Sequence, residues 1–438
     1  MAAFGKRNGL AYGKRNGLAY GKRNGLAYGL LGLPLAFVAL PLYVILPNHY
    51  AKAFGVPLAV LGAVLLGARL FDAFIDPLLG RFSDRLFARS AGSVLAVGAA
   101  AAVVLALGFA LLFFPQVQSL NGLVVWASVM LAVTYAAYSF LSIAHQSWGA
   151  MLGGNEAERS RIVAWREGLG LVGVVLASVA PVALGLRWAT ALFFIVLGIG
   201  WLAWTRAVRP VAKTGPITGN KAIWQPFKHA NFKRLLMVFM LNGIASAVPA
   251  TLVLFFIQDR LQAPASMEPL FLGSYFLTAA LSIPLWLAVV KRLGLAKTWG
   301  LGMALSIAVF AWATQVGAGQ TTAFLIITSL SGIALGTDLT LPSAMLAGAI
   351  ANNGDIGKSE GAYFGWWNFA TKLNLALAAG LALPLLGLFG YAPGARGPVA
   401  LNALVVAYCL LPCLLKLAAA AALYFLIIRP GAPMKGSP

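Results

Sequence analysis

Acidic residues are scarce: 11 Asp and Glu stand against 32 Lys and Arg in 438 residues, and charged side chains of both signs make up only 10% of the chain. With 61% apolar residues and a mean hydropathy of +0.86, so little charge excludes an ordinary water-soluble domain and reads as a polytopic membrane protein. The formal charge of +21 would point to nucleic acid in a soluble chain. Here the basic residues fall in short loops between apolar runs, so they report topology and not a nucleic-acid partner. Cysteine is nearly absent. Cys409 and Cys413, four apart in the last apolar segment, read as small buried hydrophobes and imply neither a disulfide framework nor a metal site. His49, His145 and His229 sit on different segments or loops without metal-ligand spacing, which argues against a membrane-embedded enzyme and against any metal or organic cofactor. A secretory signal is also missing, because the first apolar run is of spanning length and lacks a small-residue cleavage site.

What is present is organised by length. After three perfect copies of GKRNGLAY (residues 5–28), read as a disordered basic arm, twelve apolar segments follow, each near the roughly 20 residues a helix needs to cross a bilayer. The longest internal loop, RPVAKTGPITGNKAIWQPFKHANFKR, divides them six and six. The expected organisation is an arm over 1–28, a six-helix bundle over 29–208, a central loop over 209–234, a second bundle over 235–428 and a tail over 429–438. Most basic loops fall on the side of the arm, the central loop and the tail, which places both termini in the cytoplasm. The expectation is an all-α multi-pass protein of the plasma membrane, a bacterial inner membrane in particular. Oligomeric state is left open.

Charges inside apolar segments need an explanation. In GARLFDAFIDPLLGRFSDR, Arg69, Asp72 and Asp76 are spaced i, i+3 and i+7, so on a helix they form one polar stripe. An Asp at the centre of a membrane helix costs about 2.5–3.5 kcal/mol on insertion scales, so such residues face a bundle interior or a water-filled cavity. A structural charge cluster is the alternative to a functional one. Asp338 in segment ten and Lys372 in segment eleven raise the same question. Lys416 has no obvious acidic partner in the sequence. His145 reads as a packed residue or a proton relay, Trp366 as interfacial packing or an aromatic face against a sugar, and Asp84 with Arg85 as a charged turn closing helix two and gating between the halves.

These stretches carry a resemblance. RLFDAFIDPLLGRFSDR is similar to the second-helix signature of the glycoside-pentoside-hexuronide:cation symporters, the melibiose-carrier branch of the major facilitator superfamily. IAHQSWGAML with NEAERSRIVAWREG, LTLPSAMLAGAI, and GKSEGAYFGWWNFATKLNLALAAG resemble that family's fourth and fifth, tenth and eleventh helices. The resemblance implies a major facilitator fold that alternates its access, a small-molecule substrate, coupling-cation ligation by Asp72 and Asp76 with Lys372 beside them, and Arg166 near the substrate. Asp338, His145 and Trp366 join Arg166 as substrate-site candidates. The pattern departs at Ile75, where sodium-binding members have Asn, at Ser142, where they have Asp, and at Ala36, where the melibiose carrier has a sugar-contacting Asp. Losing two oxygen ligands favours H+ over Na+ as the coupling cation. Losing the sugar-contacting carboxylate leaves a lipid or lysolipid cargo as the alternative to a sugar or glycoside. A non-transporting scaffold would have no need of the buried charges.

Overall fold

The structure is a computed structural model that describes residues 21–210, 220–392 and 394–431. The first two repeat copies, residues 211–219 of the central loop and residues 432–438 of the tail lie outside that set.

Twelve long helical segments follow one another: α1 (22–54), α2 (Leu58–Arg89), α3 (Ala91–Phe113), α4 (Leu120–Met151), α5 (Glu156–Leu184), α6 (Leu186–Thr205), α7 (Ala230–Arg260), α8 (Glu268–Leu293), α9 (Leu295–Ala313), α10 (Thr321–Asn352), α11 (Glu360–Leu388) and α12 (Pro398–Ile428). Ten are long and apolar enough to cross a membrane. The other two, α2 and α11, exceed the required length at 32 and 29 residues and hold the charges of interest.

Local signals set several boundaries. Asn155 and Glu158 close a reciprocal capping box at the start of α5, with Glu158 N donating to Asn155 Oδ1 at 3.0 Å and Asn155 N donating to Glu158 Oε2 at 2.8 Å. A single glycine turns α5 into α6 and another turns α8 into α9. Gly185 and Gly294 both sit at φ 79°, a left-handed value that a side chain would resist. The first helix of each half carries a π turn, Pro41–Ile45 in α1 and Phe256–Arg260 in α7, which widens the backbone spiral there.

The basic arm is shorter than its composition suggested. Helix α1 begins at Lys22, so the third GKRNGLAY copy forms its opening turns. Tertiary contacts override the polar pattern. Asn24 Oδ1 accepts from Val208 N at 2.6 Å, Tyr28 is 1% exposed, and a side chain at Gly25 would strike the Trp165 indole.

The chain resolves into two compact units, one running to Lys228 and taking in Ile350–Phe369, the other comprising His229–Ala349 and the chain from Ala370 onward. The expected second bundle therefore gives up the end of α10 and the start of α11. In the first unit α1 packs on α5 and α6, α2 on α4, and α3 on α4 and α6. Its core holds Phe37, Phe109 and Phe193 in ring contact at 4.6–5.6 Å, with Trp148 against Trp204 at 5.2 Å. In the second unit α12 packs on α7 and α9, and the Phe256 ring lies between Tyr408 at 4.3 Å and Phe324 at 5.5 Å. Large apolar side chains also cover the outside, including Val182, Val399, Leu388 and Phe74, each 66% exposed or more. So much outward apolar surface suits lipid as the solvent.

Candidate functional site

Two sets of charged side chains are built into the helices, one in each unit. In the first, α2 buries its acidic stripe: Asp72 is 1% exposed and Asp76 not at all. Ser139 of α4 donates to Asp72 Oδ1 at 2.7 Å. Arg69, the third member of the stripe, turns its guanidinium over the Tyr43 ring at 4.7 Å. Pro77 follows Asp76 directly and lacks the N–H that would close on the Ala73 carbonyl, loosening the α2 ladder beside the carboxylate.

The start of α11 crosses α2 at very close range. Gly80 faces Gly361, and Gly365 faces the Asp76 and Pro77 backbone, so that a methyl on any of the three glycines would collide with main chain. Small residues four apart let helix backbones touch in this way. The approach brings Asp84 to the end of α11, where its two oxygens accept from Gly361 N at 2.6 Å and Ala362 N at 3.0 Å. Two amides otherwise orphaned at a helix N-terminus are thereby satisfied, and the positive end of the helix dipole meets a carboxylate. Arg85 is exposed and takes no part in this cap, so of the two expected gate residues Asp84 alone sits at the crossing.

The remaining first-unit candidates are occupied by packing. His145 is fully buried, its Nε2 is 2.7 Å from the Tyr28 carbonyl oxygen, and the Tyr28 hydroxyl donates to the His145 carbonyl at 3.0 Å. Its ring also meets Tyr28 at 4.3 Å and Trp204 at 5.7 Å, so it pins α1 to α4 and α6 where substrate contact was expected. Trp366 donates to the Ile223 carbonyl at 2.9 Å and packs against Trp224 and Phe227, fastening the short helix Asn220–Lys228 to α11. Arg166 is 9% exposed and paired with Glu167, its Nε donating at 2.9 Å.

In the second unit Asp338 has found its base. Lys416 of α12 donates to Asp338 Oδ2 at 2.8 Å and to Asn242 Oδ1 of α7 at 2.9 Å. Trp299 Nε1 of α9 donates to Asp338 Oδ1 at 2.9 Å, and Ser246 reaches Oδ2 at 3.2 Å. Three helices thus converge on the carboxylate of a fourth, which borders a cavity of about 330 Å³ within this unit. Asn242, Trp299 and Ser246 carried no signal of this in the sequence. Lys416 did, as a buried cation in want of an acid. Lys372 is half-buried on α11 in this same unit. No group of three or more His, Cys, Asp or Glu side chains among the described residues is arranged to hold a metal ion.

A model of the family described as MFS/sugar transport protein matches residues 25–429. An uncharacterized symporter of Bacillus subtilis, YjmB, is 23% identical over 401 residues, covering 82% of this chain and 83% of that protein. Among solved structures, a bacterial homologue of the iron transporter ferroportin in an outward-facing state superposes with a TM-score of 0.71 at 15% identity, over 92% of this chain and 98% of the other. The fucose:proton symporter FucP of E. coli superposes with a TM-score of 0.66 at 16% identity, over 93% and 99%. At such identities the structural likeness speaks for the fold alone. The match along nearly the whole chain does more: this multi-pass membrane protein belongs to the MFS/sugar transport protein family of the major facilitator superfamily.

Proposed function

We propose that the protein is a secondary active transporter that moves a small hydroxylated solute, a sugar or glycoside, together with a proton by alternating access. The observation that carries this reading is the burial of Asp72 and Asp76, one turn apart on a helix of spanning length. Buried together they repel as like charges, and a shared proton removes one of the two. Sodium would ask for more oxygen ligands. Ile75 offers none, and Ser142 is engaged by Gln146 at 3.0 Å. Lys372 is the counter-charge that the family resemblance proposes for the pair. Asp84 at the end of α11 is the proposed gate residue, since its hydrogen bonds link two helices that a rocking carrier must separate. The family description and the named activity of the fucose:proton symporter lend the substrate class. The proposed setting is a bacterial inner membrane with both termini cytoplasmic.

The test is purified protein in liposomes enclosing a pH-sensitive dye, challenged with hexoses, pentoses and their glycosides. The expected result is luminal acidification on addition of one solute class, unchanged when choline replaces sodium. Asp76→Asn should abolish uphill accumulation and acidification while sparing downhill exchange. An obligatory sodium requirement, or Asp76→Asn protein that still concentrates solute, would overturn the coupling assignment. Flux of a labelled lysolipid with no sugar flux would overturn the cargo.

A further inference from the structure

The cavity of the second unit is shaped for a particular kind of guest. Its walls are largely apolar, with the rings of Phe271, Tyr275, Phe276, Phe310 and Tyr408 along them. Its volume of about 330 Å³ falls at the low end of the roughly 300–1,000 Å³ of small-molecule sites. Besides Thr328, whose hydroxyl donates to the Leu325 carbonyl at 3.0 Å, polar groups occur on α10 at two levels. At one is the Asp338–Lys416 pair. At the other is Ser331, 8% exposed, whose hydroxyl has no hydrogen-bond partner among the described residues.

Ser331 and Asp338 are seven residues apart, which on a helix means the same face and a separation of about 10 Å. Lys416 uses two of its three ammonium hydrogens, on Asp338 and Asn242, and keeps the third. Asp338 is held by three donors yet as a carboxylate has capacity for more. The pair is neutral as a unit, so it presents one donor and one acceptor without net charge. An anion entering would meet Asp338, and a cation would meet Lys416. A free monosaccharide ring is shorter than this span and cannot reach both levels, whereas an aryl group attached to it would cover the aromatic wall between them.

We infer that this cavity is a binding site for a neutral, elongated solute about 10 Å long, hydrogen-bonded at one end by Asp338 and Lys416, at the other by Ser331, with an aromatic or alicyclic body between: an aryl glycoside in preference to a free sugar. The inference rests on the sugar-or-glycoside reading above and narrows it. It assigns no coupling role to the cavity, which is separate from Asp72 and Asp76 in its residues.

Cys413 lines the same cavity and Cys409 does not, so Cys413 in a Cys409→Ser background reports occupancy. Protein in lipid nanodiscs is treated with a small methanethiosulfonate reagent in the presence of neutral p-nitrophenyl glycosides of hexoses and pentoses, the anionic p-nitrophenyl glucuronide, or the free sugars. At least one neutral aryl glycoside should slow labelling of Cys413 by tenfold or more. The free sugars and the glucuronide should slow it less than twofold. Ser331→Ala, which removes only a hydroxyl, should raise the protecting concentration about tenfold. The double variant Asp338→Asn/Lys416→Met leaves no buried unpaired charge and should abolish protection. Protection by the glucuronide equal to that by its neutral counterpart overturns the neutral assignment, and protection by no aryl glycoside overturns the site. The two readings fail differently. An aryl glycoside that acidifies the liposome lumen but leaves Cys413 unprotected removes this site and keeps symport; protection without acidification removes proton coupling and keeps the site.

Discussion

His145 and Asp76 are both fully buried polar groups, yet their surroundings assign them different work. The imidazole is wedged between the Tyr28 and Trp204 rings with its Nε2 on the Tyr28 carbonyl, which is how a packed core residue is held. His145→Ala removes both a filled volume and a hydrogen bond to the Tyr28 carbonyl, so a loss of about 2–4 kcal/mol is expected. The measurement is the thermal unfolding midpoint in detergent together with transport by the fraction that remains folded. That fraction should keep solute affinity within twofold, and a large affinity loss at normal stability would return His145 to the substrate site. The acidic stripe of α2 was legible in the sequence because i, i+3, i+7 spacing is a property of one helix. The partners were not. Ser139 lies 67 residues from Asp72 and Lys416 lies 78 from Asp338, and periodicity does not say which distant helix is adjacent.

At the scale of the element, the α2–α11 crossing explains both a close contact and an unexpected division of the chain. Glycines 80, 361 and 365 bring the backbones together, and Asp84 then caps α11. Gly361→Val pushes the helices apart and takes the cap with it, a loss of about 1–2 kcal/mol from the dipole and capping terms alone. The variant should insert at normal levels, as judged by membrane-fraction yield, with solute exchange reduced at least tenfold. Normal exchange would show that the close crossing is dispensable. Hydropathy finds these helices but not their ends: α2 runs on through a charged stretch to Arg89, with Asp84 held by the start of α11. For the same reason the start of α11 groups with the first unit, an association that composition does not encode.

For the molecule as a whole, twelve long helical segments and a one-sided distribution of basic loops predict both termini on the cytoplasmic face. In intact cells, a cysteine introduced at Asn220 should resist an impermeant maleimide added outside, whereas one at Gln116, in the turn between α3 and α4, should react. The reverse pattern would invert the orientation. The class and the succession of long apolar helices were readable because they follow from apolar run length, which is a local sum. The beginning of the first span was not, since GKRNGLAY looks the same whether it is solvated or, as in its third copy, packed against Trp165 and Val208.

That third copy has a genetic corollary. Tandem identical units are prone to replication slippage, which adds or removes whole copies. Because the three are identical, any such event leaves the same eight residues joined to Gly29, so Asn24, Gly25 and Tyr28 are restored in register by whichever copy comes last. Deleting residues 5–20 should therefore leave transport and thermal stability unchanged. Deleting residues 5–28 should lower stability, as measured by the unfolding midpoint, because no copy is left to supply those contacts. The coding repeat is in this sense free to vary in number while its final member supplies the contacts to Trp165 and Val208.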